Sequence, residues 1–272
     1  MKTTKTSVVT KSVLALAAVA SLNAFAGPKP APAPAACAAC DSAPFSGSLS
    51  VDYASSLLFR GIDLGNNVLS TGLNVSVPLG EGFSLSLGST VARGFSARHS
   101  RNGDRGNFEW NTYSAGLNYD AGGVKVGLVY NQYDNLNGGR NDFGNSSFNE
   151  VGVTVAATVG PVDVGAAVYR DLMNDSWYTQ ASVGTSIEVT SFLKLVPSVV
   201  AGYGFSDYYD FSSSNSSNDG FTHFATNLAA PIKITKNATL TPYASWNLTG
   251  DHRAENPSNS QLIGGVKFSV GF

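Results

Sequence analysis

The sequence predicts an all-β protein, a single antiparallel barrel of about twelve strands that crosses a membrane. Three observations predict this fold class. Apolar and polar residues alternate one by one through most of the chain, charged residues are scarce, and the connections between segments are alternately short and long. A secreted β-sandwich, the alternative all-β architecture, accounts for the alternation but not for the three features together.

The alternation begins near Ser48 and has the two-residue period of a strand with two different faces. In residues 69–79, for example, Leu and Val mostly alternate with Ser, Gly and Asn. Segments of this kind recur near residues 48–59, 83–91, 111–119, 124–133, 149–159, 162–170, 177–189, 193–203, 222–232, 239–248 and 260–272. Most of them have at least about the nine to eleven residues that a tilted membrane strand needs.

Charged residues make up 13% of the 272 residues, about half of the usual fraction in soluble domains. A soluble domain needs charged side chains on its surface, so the shortage indicates a surface that faces lipid. No apolar run reaches the roughly 18 residues that a membrane-spanning helix requires. Lipid cannot satisfy the backbone groups of an open sheet edge, so strands that cross it must close into a cylinder with the apolar face outward.

The connections differ at the two ends of the predicted strands. Five are tight, and they begin at Gly80, Asp120, Gly160, Thr190 and Thr235. Between them lie mostly longer polar stretches, in particular 94–107, 134–147, 206–220 and 249–259. Short periplasmic turns at one rim and longer extracellular loops at the other are typical of bacterial outer-membrane barrels.

Residues 1–26 have the pattern of a Sec signal peptide. Three lysines precede an apolar stretch that is too short for a membrane anchor, and the small-x-small sequence Ala24–Ala26 predicts cleavage before Gly27. Cleavage removes three of the 17 basic residues and none of the 19 acidic ones, which leaves a formal net charge of −5. This charge gives no general attraction to nucleic acid.

Residues 27–46 are rich in Pro and Ala and contain Cys37 and Cys40, the only two cysteines of the chain. Because Pro favours extended backbone, this segment is predicted to be a periplasmic linker ahead of a barrel that spans residues 47–272. A CxxC pair can bind zinc, attach haem or take part in redox chemistry, but the further ligands, the following His and the thioredoxin-like context are missing. The remaining expectation is a disulfide in an exported linker.

Aromatic residues on the predicted outward face fall near the strand ends, as in the two interfacial girdles of a membrane barrel. Toward the long loops these are Phe59, Tyr130, Trp177, Tyr203 and Trp246, and toward the short turns they are Phe83, Tyr119 and Phe272.

The predicted inward face consists mainly of Gly, Ala, Ser, Thr and Asn, which leave room for water in the lumen. The charged residues predicted to line the lumen are Asp52, Arg60, Lys125, Asp163, Glu188, Lys194 and Lys267. Such a lumen is expected to let small hydrophilic solutes diffuse passively. The alternative is that the charges pair across a narrow bore, which would make the protein a non-conducting structural or adhesive barrel.

Catalytic chemistry is not expected, and no cofactor or metal site is predicted. The chain has three histidines, and nucleophilic catalysis needs a His held beside the nucleophile and an orienting group. His223 is predicted to face the lumen, but the His-x-Ser-Asn sequence of barrel phospholipases is absent around it.

Two stretches resemble bacterial outer-membrane proteins. Val266, Phe268, Val270 and Phe272 match the spacing of the C-terminal signal by which the barrel-assembly machinery recognises its clients. The segment VDYASSLLFRGIDLGNN, residues 51–67, resembles the first strand of TorF-type porins, which exits through Phe-Arg-Gly. The resemblance implies a porin-like protein of the outer membrane, with lipid and the assembly machinery as partners and no catalytic residues. The last strand is expected to pair with the first.

Overall fold

The computed structural model describes residues 45–96, 108–135, 147–173, 175–206, 219–250 and 260–272. The predicted signal peptide and both cysteines lie outside these ranges. Within the described residues there is no helix that is long and apolar enough to cross a membrane. The strands are β1 (Ser46–Phe59), β2 (Ile62–Gly80), β3 (Phe83–Ser96), β4 (Phe108–Asp120), β5 (Val124–Asn135), β6 (Ser147–Val159), β7 (Val162–Asp171), β8 (Trp177–Thr185), β9 (Ile187–Glu188), β10 (Lys194–Phe205), β11 (Gly220–Ala229), β12 (Ile232–Lys233), β13 (Ala238–Thr249) and β14 (Ser260–Gly271).

Twelve of these strands form a closed antiparallel cylinder. Around the wall the order is β1 to β8, then β10, β11, β13 and β14, which pairs again with β1. The other two, β9 and β12, have two residues each and pair with β10 and β13 near the short-turn rim. The predicted barrel of about twelve strands is therefore confirmed, although the segment expected at 177–189 is divided between β8 and β9.

The seam between the first and last strands closes the cylinder. The ladder of β1 and β14 runs from Ser48–Gly271 to Ala54–Gly265. Beyond it, Gly47 and Phe272 exchange two backbone hydrogen bonds of 2.9 and 3.0 Å. The Phe272 ring covers the Gly47 backbone and packs edge-on against Phe45, with 6.5 Å between the ring centroids.

The outward face carries the apolar side chains, as the alternation predicts. Seven of the eight predicted girdle aromatics lie on this face with 38–45% of their surface exposed. The four residues that resemble an assembly signal, Val266, Phe268, Val270 and Phe272, also lie on it. The prediction for Phe59 is wrong, because its side chain is fully buried, at 0% exposure.

The Phe272 ring is predicted to stabilise the seam. Phe272→Ala removes its aromatic contact with Phe45, and we expect a loss of about 1 kcal/mol in the free energy of unfolding. Phe272→Tyr keeps the ring and should behave like wild type. The measurement is the temperature at which the compact band of the refolded protein disappears from SDS gels. Equal melting of the alanine and wild-type proteins would contradict the role of the ring.

Candidate functional site

The top of the β1–β2 hairpin does not continue the wall but lies inside the barrel. From residue 57 onward both faces of the hairpin are buried, with exposures of 5% for Leu57, 0% for Phe59 and 2% for Arg60. On the returning strand, Ile62 and Asp63 are 2% and 1% exposed. Residues 57–65 are called the tip below. A strand of the wall would keep one face in lipid, so the tip fills the lumen.

A bulge bends the hairpin inward. Leu57 pairs with Gly65 but Leu58 pairs with Asp63, so Leu64 is one extra residue in β2, and such an insertion bends a strand and increases its twist. The carboxylate of Asp63 stabilises the bulge, since its Oδ1 accepts hydrogen bonds from Ser56 Oγ at 2.8 Å and Gly65 N at 3.1 Å.

The turn of the tip consists of Arg60 and Gly61, between the paired residues Phe59 and Ile62. Their φ angles are 50° and 94°, so both residues are in the left-handed region, as in the two-residue turns that fit the twist of a hairpin. A Cβ at Gly61 would also lie 2.7 Å from the carbonyl oxygen of Thr222. Glycine is therefore required here by conformation and by space.

The Arg60 side chain crosses the bore to the opposite wall. Its Nη1 and Nη2 donate to Glu150 Oε1 and Oε2 at 2.5 and 2.8 Å, and the two side chains are 1% and 0% exposed. The guanidinium also lies over the rings of Tyr178 and Tyr169, 3.9 and 4.9 Å from their centroids. These partners stand on β6, β8 and β7, and β7 is six places from β1 in the ring of twelve. The ion pair therefore joins the first hairpin to wall strands that are far from it in the ring.

Apolar side chains hold the two sides of the tip. Phe59 packs against Trp110, Tyr133 and Phe148, with centroid separations of 5.2, 5.2 and 5.9 Å. On the other side Ile62 packs in a cluster with Val129, Ala167, Tyr169 and Tyr178. Large aromatic side chains therefore close around the tip at this level, beside the mainly small residues that the sequence predicts for the lumen.

A cavity remains between the tip and the short-turn rim. Asp52 and Lys267 line it and are direct neighbours in the β1–β14 ladder. Tyr243 donates a hydrogen bond of 3.0 Å to Asp52 Oδ1. Ser50 and Ser70 contribute further polar surface. Leu57, Leu58 and Ile263 also line the cavity, so its lining is part polar and part apolar.

The other four residues predicted to line the lumen lie toward the short-turn rim. Lys125 is 3.4 Å from Asp120, and Asp163 accepts a hydrogen bond of 2.7 Å from Thr158. Lys194 forms an ion pair of 3.0 Å with Glu188, whose side chain is 71% exposed. The seven charges thus lie at three levels, with Arg60 alone in the tip.

Sequence reasoning missed Glu150, the residue that binds Arg60. The alternation along β6 did indicate its orientation. It places Glu150 on the inward face, between Asn149 and Val151 on the outward face. Its partner is 90 residues away in the chain, and no local pattern connects the two.

His223 is 1% exposed, and its Nδ1 lies 3.0 Å from the Thr222 hydroxyl, a neighbour in sequence. In the described part of the chain, no three His, Cys, Asp or Glu side chains are grouped so that they could hold a metal ion.

The fold belongs to the class of transmembrane β-barrels found in the outer membrane. The COG4313 outer membrane channel from Pseudomonas putida F1 has a TM-score of 0.52 and 12% identity to this chain, and the match covers 84% of this chain and 95% of that channel. A KdgM porin and the NanC porin are also similar, with TM-scores of 0.47 and 0.46 and 11% identity each. Their matches cover 81% and 83% of this chain, and 98% of each porin. At these identities the likeness shows the barrel fold. No family model and no curated protein matches the sequence.

The fit of the tip can be measured at Gly61. Gly61→Ala introduces both a strained φ and a collision with Thr222, whereas Gly80→Ala introduces the same strain, at φ 93°, with no atom within 4 Å. We expect Gly61→Ala to be less stable than Gly80→Ala by about 1–3 kcal/mol, the usual effect of overpacking, or to expel the tip. Urea unfolding measures the first outcome, and trypsin cleavage after Arg60, detected by mass spectrometry, measures the second. If Gly61→Ala and Gly80→Ala have the same stability in urea and the same trypsin sensitivity at Arg60, the tip is not tightly packed.

Proposed function

We propose that this protein is an outer-membrane channel of the porin type for small hydrophilic solutes, with a bore restricted by the tip of its own first hairpin. The observation that carries the proposal is the buried Arg60–Glu150 ion pair, which holds the tip inside the lumen. The polar cavity around Asp52 and Lys267 supports a path for solutes below the tip.

The energetics of the ion pair favour a movable tip. Two charges without water are stable only while they satisfy each other, and removal of one partner costs about 3–5 kcal/mol. A purely structural plug made of apolar side chains contains no buried charge and so does not carry this free-energy cost. The neighbouring aromatic residues already supply such apolar packing. The ion pair therefore supports a tip with two positions, one in the lumen and one in water.

A non-conducting barrel is the second candidate function. The contacts of the tip with β4, β5 and β6 on one side and with β7 and β8 on the other favour it, because they are extensive and mostly apolar. In that case the tip is a permanent plug and the barrel acts as an anchor or an adhesive surface.

Planar-bilayer conductance of the purified barrel separates the two functions. Glu150→Gln keeps the shape of the side chain but leaves the buried Arg60 charge without a counter-charge. The tip should therefore leave the lumen, and conductance should rise. The cost of about 3–5 kcal/mol is enough to change a two-state population by more than about a hundredfold. Trypsin cleavage after Arg60 should appear in the same variant.

Two controls make the conductance test specific. Glu109→Gln breaks the ion pair of 3.0 Å with Arg93, a residue that is 67% exposed, and should leave conductance unchanged. Arg60→Met combined with Glu150→Leu replaces the buried ion pair by apolar contacts and should restore the low conductance. If no variant conducts although Arg60 becomes accessible to trypsin, the barrel is the non-conducting candidate.

The same proposal includes export by residues 1–26 and insertion by the barrel-assembly machinery. The outward-facing Val266, Phe268, Val270 and Phe272 support recognition of β14, the strand that closes the wall. Membrane fractionation of a Phe272 deletion beside Lys267→Gln tests this part, since only the deletion should reduce the folded barrel in the outer membrane.

A further inference from the structure

The cavity below the tip contains two opposite charges that no ion pair joins. Asp52 on β1 and Lys267 on β14 are direct neighbours in the ladder, and both line the cavity. Among the residues that the structure describes, the Lys267 ammonium has neither a hydrogen bond nor an ion pair. A cation that faces a cavity without a protein partner is available to an anionic group of a ligand.

Tyr243 holds the carboxylate of Asp52 in place. Its hydroxyl donates the hydrogen bond of 3.0 Å to Oδ1, and its ring lies over Gly265, where a Cβ would collide with it. The glycine thus lets Tyr243 reach from β13 across β14 to β1. Within the described ranges Oδ2 of Asp52 accepts no hydrogen bond. One oxygen of Asp52 is therefore fixed, and the other is available to a donor on a ligand.

Polar side chains form much of the cavity wall, and the tip forms its roof. The polar wall residues besides the charged pair and Tyr243 are Ser50, Ser56, Ser70, Thr71, Asn74 and Thr90. Asp52 and Lys267 are half-buried, whereas Leu57 and Leu58 of the roof are 5% and 3% exposed. Water therefore reaches the charged pair from the side of the short turns, and the tip closes the other side.

A zwitterion matches these groups better than an ion of one charge. Asp52 and Lys267 are the charged residues among those that line the cavity. An anion beside Lys267 is repelled by Asp52, and a cation beside Asp52 is repelled by Lys267. A molecule with both charges satisfies both side chains and adds no net charge to a site that is partly removed from water.

The size of the cavity limits the ligand to a small molecule. The cavity has a volume of about 70 Å³, and about 10–15 Å³ is enough for one water molecule. The cavity therefore has room for roughly five water molecules, or for a solute with about as many non-hydrogen atoms. The smallest α-amino acids have this size, and they carry a carboxylate and an ammonium group on the same carbon atom.

We propose that the cavity is a binding site for small zwitterionic α-amino acids, with the carboxylate on Lys267 and the ammonium group on Asp52. The small side chain of the ligand lies against Leu57 and Leu58 of the roof. The inference rests on the proposed channel function and deepens it, because it names a class of solute that the lumen selects.

Saturation-transfer NMR titrations of the purified barrel in detergent micelles test the site. The probes are alanine, propionate, which lacks the ammonium group, ethylamine, which lacks the carboxylate, and leucine, which is larger. Alanine should bind at least about tenfold more tightly than propionate or ethylamine, because each of these loses one hydrogen bond to a charged side chain. Leucine should bind more weakly than alanine, because the cavity is too small for its side chain.

Substitutions of the two charged residues should have different effects. Lys267→Gln should weaken the binding of alanine at least about tenfold. Asp52→Asn should weaken alanine but strengthen propionate, because the repulsive neighbour of the anion is removed. Lys125→Gln is the matched control, since Lys125 lies outside the cavity lining and 3.4 Å from Asp120, and it should leave binding unchanged. Mobility on unheated gels shows that each variant is folded.

Three results would overturn the proposal: equal binding of alanine and propionate to the wild-type barrel, unchanged binding of alanine in Lys267→Gln, or an equal decrease in Lys125→Gln. Conductance is a separate readout. A barrel that conducts without binding alanine contradicts the amino-acid site alone, and one that binds alanine in this manner without conducting contradicts the proposed channel alone.

Discussion

Lipid offers no hydrogen-bond partner to a peptide group, and the rest of this structure depends on that constraint. It requires every strand to have two neighbours, which twelve strands achieve by closing β14 onto β1. It also determines which face of each strand is apolar, and therefore leaves the small and polar residues inside. The girdle aromatics mark the two levels at which water replaces hydrocarbon.

The interior obeys a different rule, because a lumen can contain water, side chains or a part of the chain itself. Here it contains the tip, which is held by a charged pair in its centre and by aromatic packing at its sides. Asp63 connects the tip to the wall as well, since its Oδ2 accepts a hydrogen bond of 2.8 Å from Gln261 on β14. The arrangement explains how a barrel with a small-residue lining can still be obstructed at one level.

The obstruction of the lumen and the early end of the β1–β14 ladder have one structural cause. The extra residue Leu64 bends the hairpin inward, which places Arg60 across the bore and at the same time withdraws β1 from the upper part of β14. Asp63 holds this bend in place, because it accepts hydrogen bonds from Ser56 and Gly65 within the hairpin and from Gln261 on β14.

The sequence by itself determined the class of fold, the approximate number of strands, the outward face and the closing pair of strands. Each of these follows from a local regularity, the two-residue period or the spacing of turns, that lipid imposes on all strands alike. It also indicated Asp52 and Lys267 as lumen residues, which line the cavity. The sequence misplaced Phe59, because alternation gives the side of a strand but not the point at which a strand leaves the wall. Only the tertiary structure decided that Arg60 meets Glu150. Contacts across a bore join residues far apart in the chain, and their energy depends on burial that no local pattern records.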